Sequence, residues 1–300
     1  MNNNYEKVVD FIIEQIEKSQ TLPWDQPWIN KDTQFPMNFR GTHYRGMNLF
    51  NLSFIQMIRG YKQNIWLTFN QARTLKGFVK AGEKGVPVIF WKIQAVRNGV
   101  QHEDEGDDGD VDEQKIPFIR VYTVFNIEQC DLPEGAIKKY EIKERTFVPI
   151  EEAERIISEM PKKPAILFDT LAEAYYRPSD DSVHVPEGKH FKKEEYYYST
   201  MFHELVHSTG HASRLNREGV IKNAAMADKA TYSEEELVAE LGAVFLCSQT
   251  GIEKEPAADH VAYLQNWVKY LKDHKKSLLW ASQRAQKAVD FITKVPVKTQ

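Results

Sequence analysis

Three hundred residues, 42% of them hydrophobic, carry a formal net charge of −4. That length suits about two ordinary domains, and that apolar share excludes a wholly disordered chain. No stretch of roughly 18 apolar residues predicts a membrane span. The N-terminal segment MNNNYEKVVDFIIEQIEKSQ lacks the layout of a signal peptide, and two cysteines, Cys130 and Cys247, make neither a disulfide framework nor a cysteine-rich metal site. A cytoplasmic protein with no membrane partner is the expectation.

In chain order, Val8, Val9, Ile12, Ile13 and Ile16 recur at helical spacing, so residues 4–19 are predicted as an amphipathic helix. The segment TLPWDQPW follows, and its prolines demand extended or turned backbone. Residues 48–60 and 68–76 are predicted helices, with Thr68 as N-cap of the second and Gly77 as its stop. VPVIFWKI and IRVYTVFNIE are β-branched and aromatic, and predict two antiparallel strands. A helix is expected over 150–160, then strands at AILFD, AYYRP and DSVHVP. Helices follow over 192–209, 233–250, 256–273 and 276–293. The pattern is α+β, as two domains, 1–145 and 146–300.

The charge is unevenly spread. Eight acids and no base fall within residues 103–113, and without them the chain is +4. Residues 19–100 hold six lysines and five arginines against Asp25, Asp32 and Glu83, a net of +8. A glycine-interspersed block of like charge repels itself and stays solvated, so residues 98–115 are expected to form a disordered acidic loop between the two strands.

The strongest chemical signal is His203-Glu204-Leu205-Val206-His207. Positions four apart share a helix face, so both imidazoles can aim at one metal ion. Glu204, one position along, suits a general base acting on water at an open coordination position. Met201, Phe202, Leu205 and Val206 supply the core face, and Gly210 the stop. A surface helix with two histidines would carry the same letters, but the segment YSEEELVAELGAVFL follows. There Glu236 and Glu240 border an apolar stripe of Leu237, Leu241, Val244 and Phe245. Buried carboxylates need partners, and a metal is one. Glu236 is expected as third ligand, with Glu240 accepting a hydrogen bond from a ligating histidine; the reverse assignment is the alternative. Glu235 is expected in solvent.

This pattern resembles the gluzincin metallopeptidases. The resemblance implies zinc, or another divalent metal, and peptide hydrolysis with Glu204 moving the proton. It also implies an oxyanion donor, for which His211, Tyr232 and Arg214 are candidates, and a substrate-pairing edge strand, for which DSVHVP is the candidate. Its His184 is read as a surface residue.

In the basic half, aromatic and cationic residues interleave: Trp24, Trp28, Arg40, Tyr44, Arg45, Trp66, Arg73, Lys76, Lys80 and Lys84. Rings that stack bases and cations that follow phosphates suit single-stranded nucleic acid, although aromatic residues in a small domain also build cores. The ordered run PWxxPW, NxxGxxYRGxN, WLTFxQA, GxVKxGEKG and YTVFNIEQ resembles the N-terminal domain of the ArdC antirestriction family, which also opens TraC-type primases. FHELVHSTGHASRLNR and YSEEELVAELGA resemble the zincin-like metallopeptidase domain that follows it. The resemblance implies binding of single-stranded DNA, carriage on a mobile element and action against host restriction. The partner would be an unknown protein substrate or a restriction enzyme. The alternative is a non-enzymatic DNA-binding antirestriction protein with a structural or vestigial metal site.

Overall fold

The computed structural model of the chain describes residues 4–23, 35–97, 100–103, 114–137, 148–169, 173–221, 229–252 and 260–295. Trp24, Trp28, the acids at 104–113 and the expected domain junction at 145–146 lie outside those residues.

Helix α1 (Asn4–Ser19) leads to β1 (Met37–Asn38), α2 (Gly46–Arg59), β2 (Ile65–Thr68), α3 (Phe69–Thr74) and β3 (Phe78–Val79). Next come β4 (Val86–Arg97), β5 (Val100–Glu103), β6 (Gln114–Asn126) and β7 (Cys130–Asp131). The main sheet has the order β1-β2-β6-β4-β5. The expected antiparallel pairing of β4 with β6 is present from Val86↔Val124 to Val96↔Gln114. Strand β5 corrects one expectation. Residues 100–103 fold back on β4 in register, so the hairpin continues into the segment read as loop.

Thr68 caps α3 as expected, in a reciprocal box with Gln71. The left-handed residue after that helix is Lys76 (φ 60°), not Gly77. Gly77 is required for another reason: a Cβ there would lie 2.4 Å from the Asp131 carbonyl oxygen of β7, the partner of β3. The β4 edge left open by the short β5 is closed by a side chain. Asn48 of α2 donates to the Ile89 carbonyl (2.6 Å) and accepts from the Ile89 N–H (2.8 Å), replacing a strand neighbour.

The second half holds α4 (Pro149–Glu159), β8 (Ala165–Asp169), β9 (Tyr175–Arg177), β10 (Ser182–Pro186), α5 (Glu194–Ser208), α6 (Glu218–Ile221), α7 (Lys229–Thr250), α8 (His260–Asp273) and α9 (Lys275–Ile292). The three-stranded sheet has the order β8-β10-β9, with β10 parallel to β8 and antiparallel to β9. The segment DSVHVP is therefore the central strand, not the edge. His184 is buried, stacked on Tyr175 at 4.5 Å and within 2.9 Å of Ser182 Oγ, which corrects its reading as a surface residue.

One apolar cluster runs from Val8, Ile12 and Ile16 of α1 through Phe202 and Leu205 of α5 to Leu278, Val289 and Ile292 of α9. Each large side chain of this kind contributes about 1.5–3 kcal/mol when fully buried. The N-terminal helix thus packs on the C-terminal ones. Lys272–Glu17 and Lys275–Asp10 pairs (both 2.5 Å) border the contact, and Arg45 pairs with the buried Asp290. Among the described residues, no helix is long and apolar enough to cross a membrane.

Candidate functional site

Helix α5 buries Met201, Phe202, Leu205 and Val206 as its pattern predicts, leaving His203 and His207 on a half-buried face. Their Nε2 atoms are 3.1 Å apart. Glu236 arrives from α7 with one oxygen 3.6 Å from His203 Nε2 and the other 3.5 Å from His207 Nε2. One ligand atom from each residue lies within 4.8 Å of the others. Two donors bound at 2.0–2.1 Å in a tetrahedral shell sit roughly 3.4 Å apart, so the three fit a common cation with little adjustment.

Helix α7 can come this close because residue 242 is glycine. A Cβ at Gly242 would lie 2.7 and 2.8 Å from the two methyls of Val206 on α5.

The three consecutive glutamates of α7 point three ways. Glu234 pairs with Arg284 of α9. Glu236 joins the histidines. Glu235, expected in solvent, is instead 7% exposed, and this is the main residue that sequence reasoning missed. Its Oε1 lies 3.3 Å from His207 Nδ1, and it accepts from Arg217 Nη2 (2.6 Å) and Nε (3.0 Å). Arg217 is itself buried and donates further to Thr209 Oγ1 (2.5 Å) and to the Val206 carbonyl (2.7 Å). A carboxylate at Nδ1 fixes the tautomer that leaves the Nε2 lone pair facing the cluster. Glu240 instead accepts from Tyr263 Oη (2.7 Å).

Burial alone would lower the His207 pKa, but hydrogen bonds with Glu235 and Glu236 raise it well above the usual histidine range. Burial would raise that of Glu236, but both histidines hold it far below the carboxylate range. Glu235 is neutralised by Arg217, whereas Glu236 faces only the two imidazoles, a donor set that suits a divalent cation. Glu204 is 6% exposed and sits between the two histidines in sequence.

Of the oxyanion candidates, Arg214 is occupied elsewhere. It donates to the Ser208 and Lys162 carbonyls (both 2.7 Å) and grips Asp181, tying the β9–β10 turn to the end of α5. His211 Nδ1 is 2.9 Å from Ser213 Oγ. Tyr232 lies where only the backbone is described. Gly210 follows the end of α5 as expected, but the requirement is close approach: a Cβ would lie 2.5 Å from Val220 Cγ2.

In the first half, the sheet carries a groove of ≈ 520 Å³ lined by Tyr44, Phe69, Phe90 and Tyr122 with polar Asn38 and Gln71. Phe90 lies 6.2 Å from Tyr44 and 5.6 Å from Tyr122, centroid to centroid. Phe69 and Phe90 are 50% and 40% exposed, an unusual share for large apolar rings. Burial pushes the Tyr44 phenol up to about 12. Arg120 sits opposite Phe90 in register, and exposed Arg40 and Arg73 follow β1 and lie on α3. Phe69, Phe90 and Tyr122 were not singled out from sequence; Phe90 and Tyr122 share a sheet face with the buried Val86, Val88 and Val124, so alternation along β4 and β6 gives no signal for them.

Trp66, expected to stack bases, is fully buried under Leu52 and Ile55, and its indole N–H donates to Asn64 (2.6 Å). Arg45 is committed to Asp290. Lys76, Lys80 and Lys84 are exposed but do not line the groove, and Lys80 Nζ donates to the Glu128 carbonyl (3.0 Å).

The model of the N-terminal domain of anti-restriction factor ArdC matches residues 2–125, and that of the zincin-like metallopeptidase family matches residues 151–284. The crystal structures of antirestriction protein ArdC from the R388 plasmid are 33% identical, with TM-score 0.71. The metal-free one covers 97% of this chain and 96% of its own; the Mn(II)-bound one covers 99% of each. An uncharacterised protein of Sinorhizobium fredii, y4eC, is 30% identical over 96% of this chain and 91% of its own. DNA primase TraC of Escherichia coli is 33% identical over 96% of this chain, which spans 27% of that primase. With both family models matched in order and full-length relatives at this identity, the chain belongs to the ArdC antirestriction family.

Proposed function

We propose that the chain is an antirestriction protein of a mobile element that acts in the cytoplasm. In this reading residues 1–145 bind single-stranded DNA and residues 146–300 hydrolyse peptide bonds of a protein met there. The convergence of His203, His207 and Glu236 beside the buried Glu204 carries the peptidase reading. Two imidazoles and one carboxylate leave a tetrahedral cation one open position and suit zinc, while the Mn(II)-bound relative supports a divalent metal more generally. Such a cation polarises the carbonyl and makes water nucleophilic near neutral pH. Glu204 takes the proton from that water and returns it to the leaving amine. His207 is held by Glu235 with Nε2 toward the cluster.

His203→Ala and Glu236→Ala are expected to abolish stoichiometric metal binding, and Glu240→Ala to retain it, as read by metal analysis after gel filtration. Glu204→Gln should keep metal and DNA yet lose proteolysis by at least about 100-fold, the scale of a lost acid–base group. Full antirestriction by Glu204→Gln would favour the non-enzymatic alternative.

For DNA, exposed rings beside arginines support stacking with phosphate contact. Phe90→Ala is expected to weaken binding to oligothymidylate about 5- to 150-fold, the scale of one lost base stack. Affinity should fall as salt rises. Unchanged binding, or equal affinity for duplex, would count against the groove.

A further inference from the structure

The groove beside Phe90 has a polar sense as well as its rings. Two side-chain amides line it, Asn38 and Gln71, and both are anchored by their oxygens. Asn38 Oδ1 accepts from the backbone N–H groups of Arg40 (2.9 Å) and Thr42 (3.1 Å). Gln71 Oε1 accepts from the Thr68 N–H (2.8 Å) in the reciprocal box. Each of these partners is an N–H, so the amide orientation is fixed: the nitrogen in that place would set donor against donor. The –NH2 group is what each residue has left to give, and among the described residues no acceptor takes it.

We propose that these two amides make the groove select the base that it stacks, favouring thymine or guanine, with a carbonyl at the position farthest from the sugar, over cytosine or adenine, with an amino group there; this rests on the single-stranded DNA reading. O4 of thymine and O6 of guanine accept hydrogen bonds, whereas N4 of cytosine and N6 of adenine donate them. An amino group brought against an anchored –NH2 leaves both donors unpaired. Asn38 and Gln71 are half-buried, so a mismatched pair is poorly relieved by water. The other polar groups of the groove impose no such rule. The hydroxyls of Tyr44 and Thr123 turn to donate or to accept, and Asn70 is exposed with no side-chain partner to orient it among the described residues. The rings supply affinity for any base, and the amides supply the choice.

The test uses the full-length protein, with oligothymidylate and oligodeoxycytidylate of one length competing in fluorescence anisotropy at mildly alkaline pH, where cytosine is neutral. Both are pyrimidines on the same phosphate chain, so stacking area and charge cancel in the ratio. Oligothymidylate is expected to bind at least about fivefold tighter, the scale of one or two net hydrogen bonds. Gln71→Glu and Asn38→Asp each keep an oxygen for the backbone N–H and replace the –NH2 by a second oxygen, so the turn and the capping box stand. Each should bring the ratio below about twofold, and the added charge weakens both oligomers alike. Should either variant bind too weakly to measure, the parent protein decides: an oligomer of difluorotoluene deoxynucleosides, with the shape of thymine and none of its carbonyls, should bind weaker than oligothymidylate by the same factor. Equal affinity for thymidylate and cytidylate, a preference for cytosine, a ratio unchanged in both variants, or a difluorotoluene oligomer bound as tightly as thymidylate overturns the proposal and leaves the stacking groove standing. Binding of neither natural oligomer overturns the DNA reading and the proposal with it.

Discussion

Glu235→Ala is expected to lower metal affinity roughly 10- to 100-fold while leaving all three metal-facing side chains in place. His207 would lose the acceptor 3.3 Å from Nδ1, and with it the orientation of Nε2. Arg217 would lose the carboxylate that takes two of its donors while remaining 8% exposed. An unpaired buried cation costs about 3–5 kcal/mol, so the metal-free protein should melt markedly lower. Two measurements separate these effects. Competition against a chromophoric chelator reads affinity, and thermal unfolding without metal reads the ion pair. The double variant Glu235→Gln with Arg217→Gln removes both charges together, and should recover much of the stability but little of the affinity. Metal affinity within twofold of the parent in a folded Glu235→Ala protein would show that His207 needs no help from α7. High salt should change little, because the pair is shielded from mobile ions.

Glu235 also shows where sequence reading ends. A step of one residue along a helix rotates the side chain by 100°, so a glutamate beside Glu236 and off the apolar stripe reads as solvated. Its partner, Arg217, comes from the turn after α5, eighteen residues away, and only tertiary structure brings them together. The histidine pair was legible because i,i+4 geometry is local. Glu236 was preferred from sequence because two acids on a buried helix demanded an explanation, and the crossing of α5 and α7 brings it to the histidines while Glu240 turns to Tyr263. Strand order is likewise non-local. DSVHVP has the composition of a strand, but its place between β8 and β9 depends on which neighbours arrive on each side. Trp66 failed for a related reason. Composition counted it among bases and rings, whereas Ile65, Trp66 and Leu67 are all buried, between α2, β6 and α3. The rings that reach the groove come from Tyr44, α3, β4 and β6, and Phe90 is exposed only because the cover over Val86 and Val88 ends before it, which strand composition does not show.

The join between the halves bears on how the two proposed activities could be linked. Helix α1 rests both on the main sheet and on α8 and α9, and Arg45 at the start of α2 pairs with Asp290 of α9. Gly46, at φ 52°, donates its N–H to Gln286 Oε1 (3.1 Å) on the same helix. The YRGxN segment, read from sequence as nucleic-acid contact, therefore serves three structural ends: Tyr44 lines the groove, Arg45 and Gly46 dock on α9, and Asn48 closes the β4 edge. Helix α9 in turn packs on α7, which carries Glu236. The groove and the cluster thus share rigid elements rather than a bare tether.

Gly242→Ala is expected to weaken both fold and metal site, even though alanine is the better helix former. In an open helix the change would stabilise by up to about 1 kcal/mol. Here the new methyl would sit 2.7 Å from Val206 Cγ2, 2.8 Å from Cγ1 and 3.3 Å from Cβ. Val206 is fully buried on α5, and a β-branched side chain on a helix has essentially one rotamer, so it cannot turn aside. The helices must part instead, and overpacking of this kind costs about 1–3 kcal/mol, more than the propensity gain. The separation has a chemical consequence. Glu236 lies six residues back on α7, about 9 Å along the axis, while His203 and His207 stand on α5. Parting the two helices moves the carboxylate away from both imidazoles at once. Metal affinity should fall at least about tenfold, and Gly242→Val should be worse in both respects. Unfolding midpoints with and without excess zinc read the two effects in one series, because a ligand raises the midpoint only as far as it binds the folded state. A Gly242→Ala protein with an unchanged zinc-induced rise would mean that α5 and α7 hold their spacing by yielding elsewhere, and that the glycine is not what sets the distance between Glu236 and the histidines.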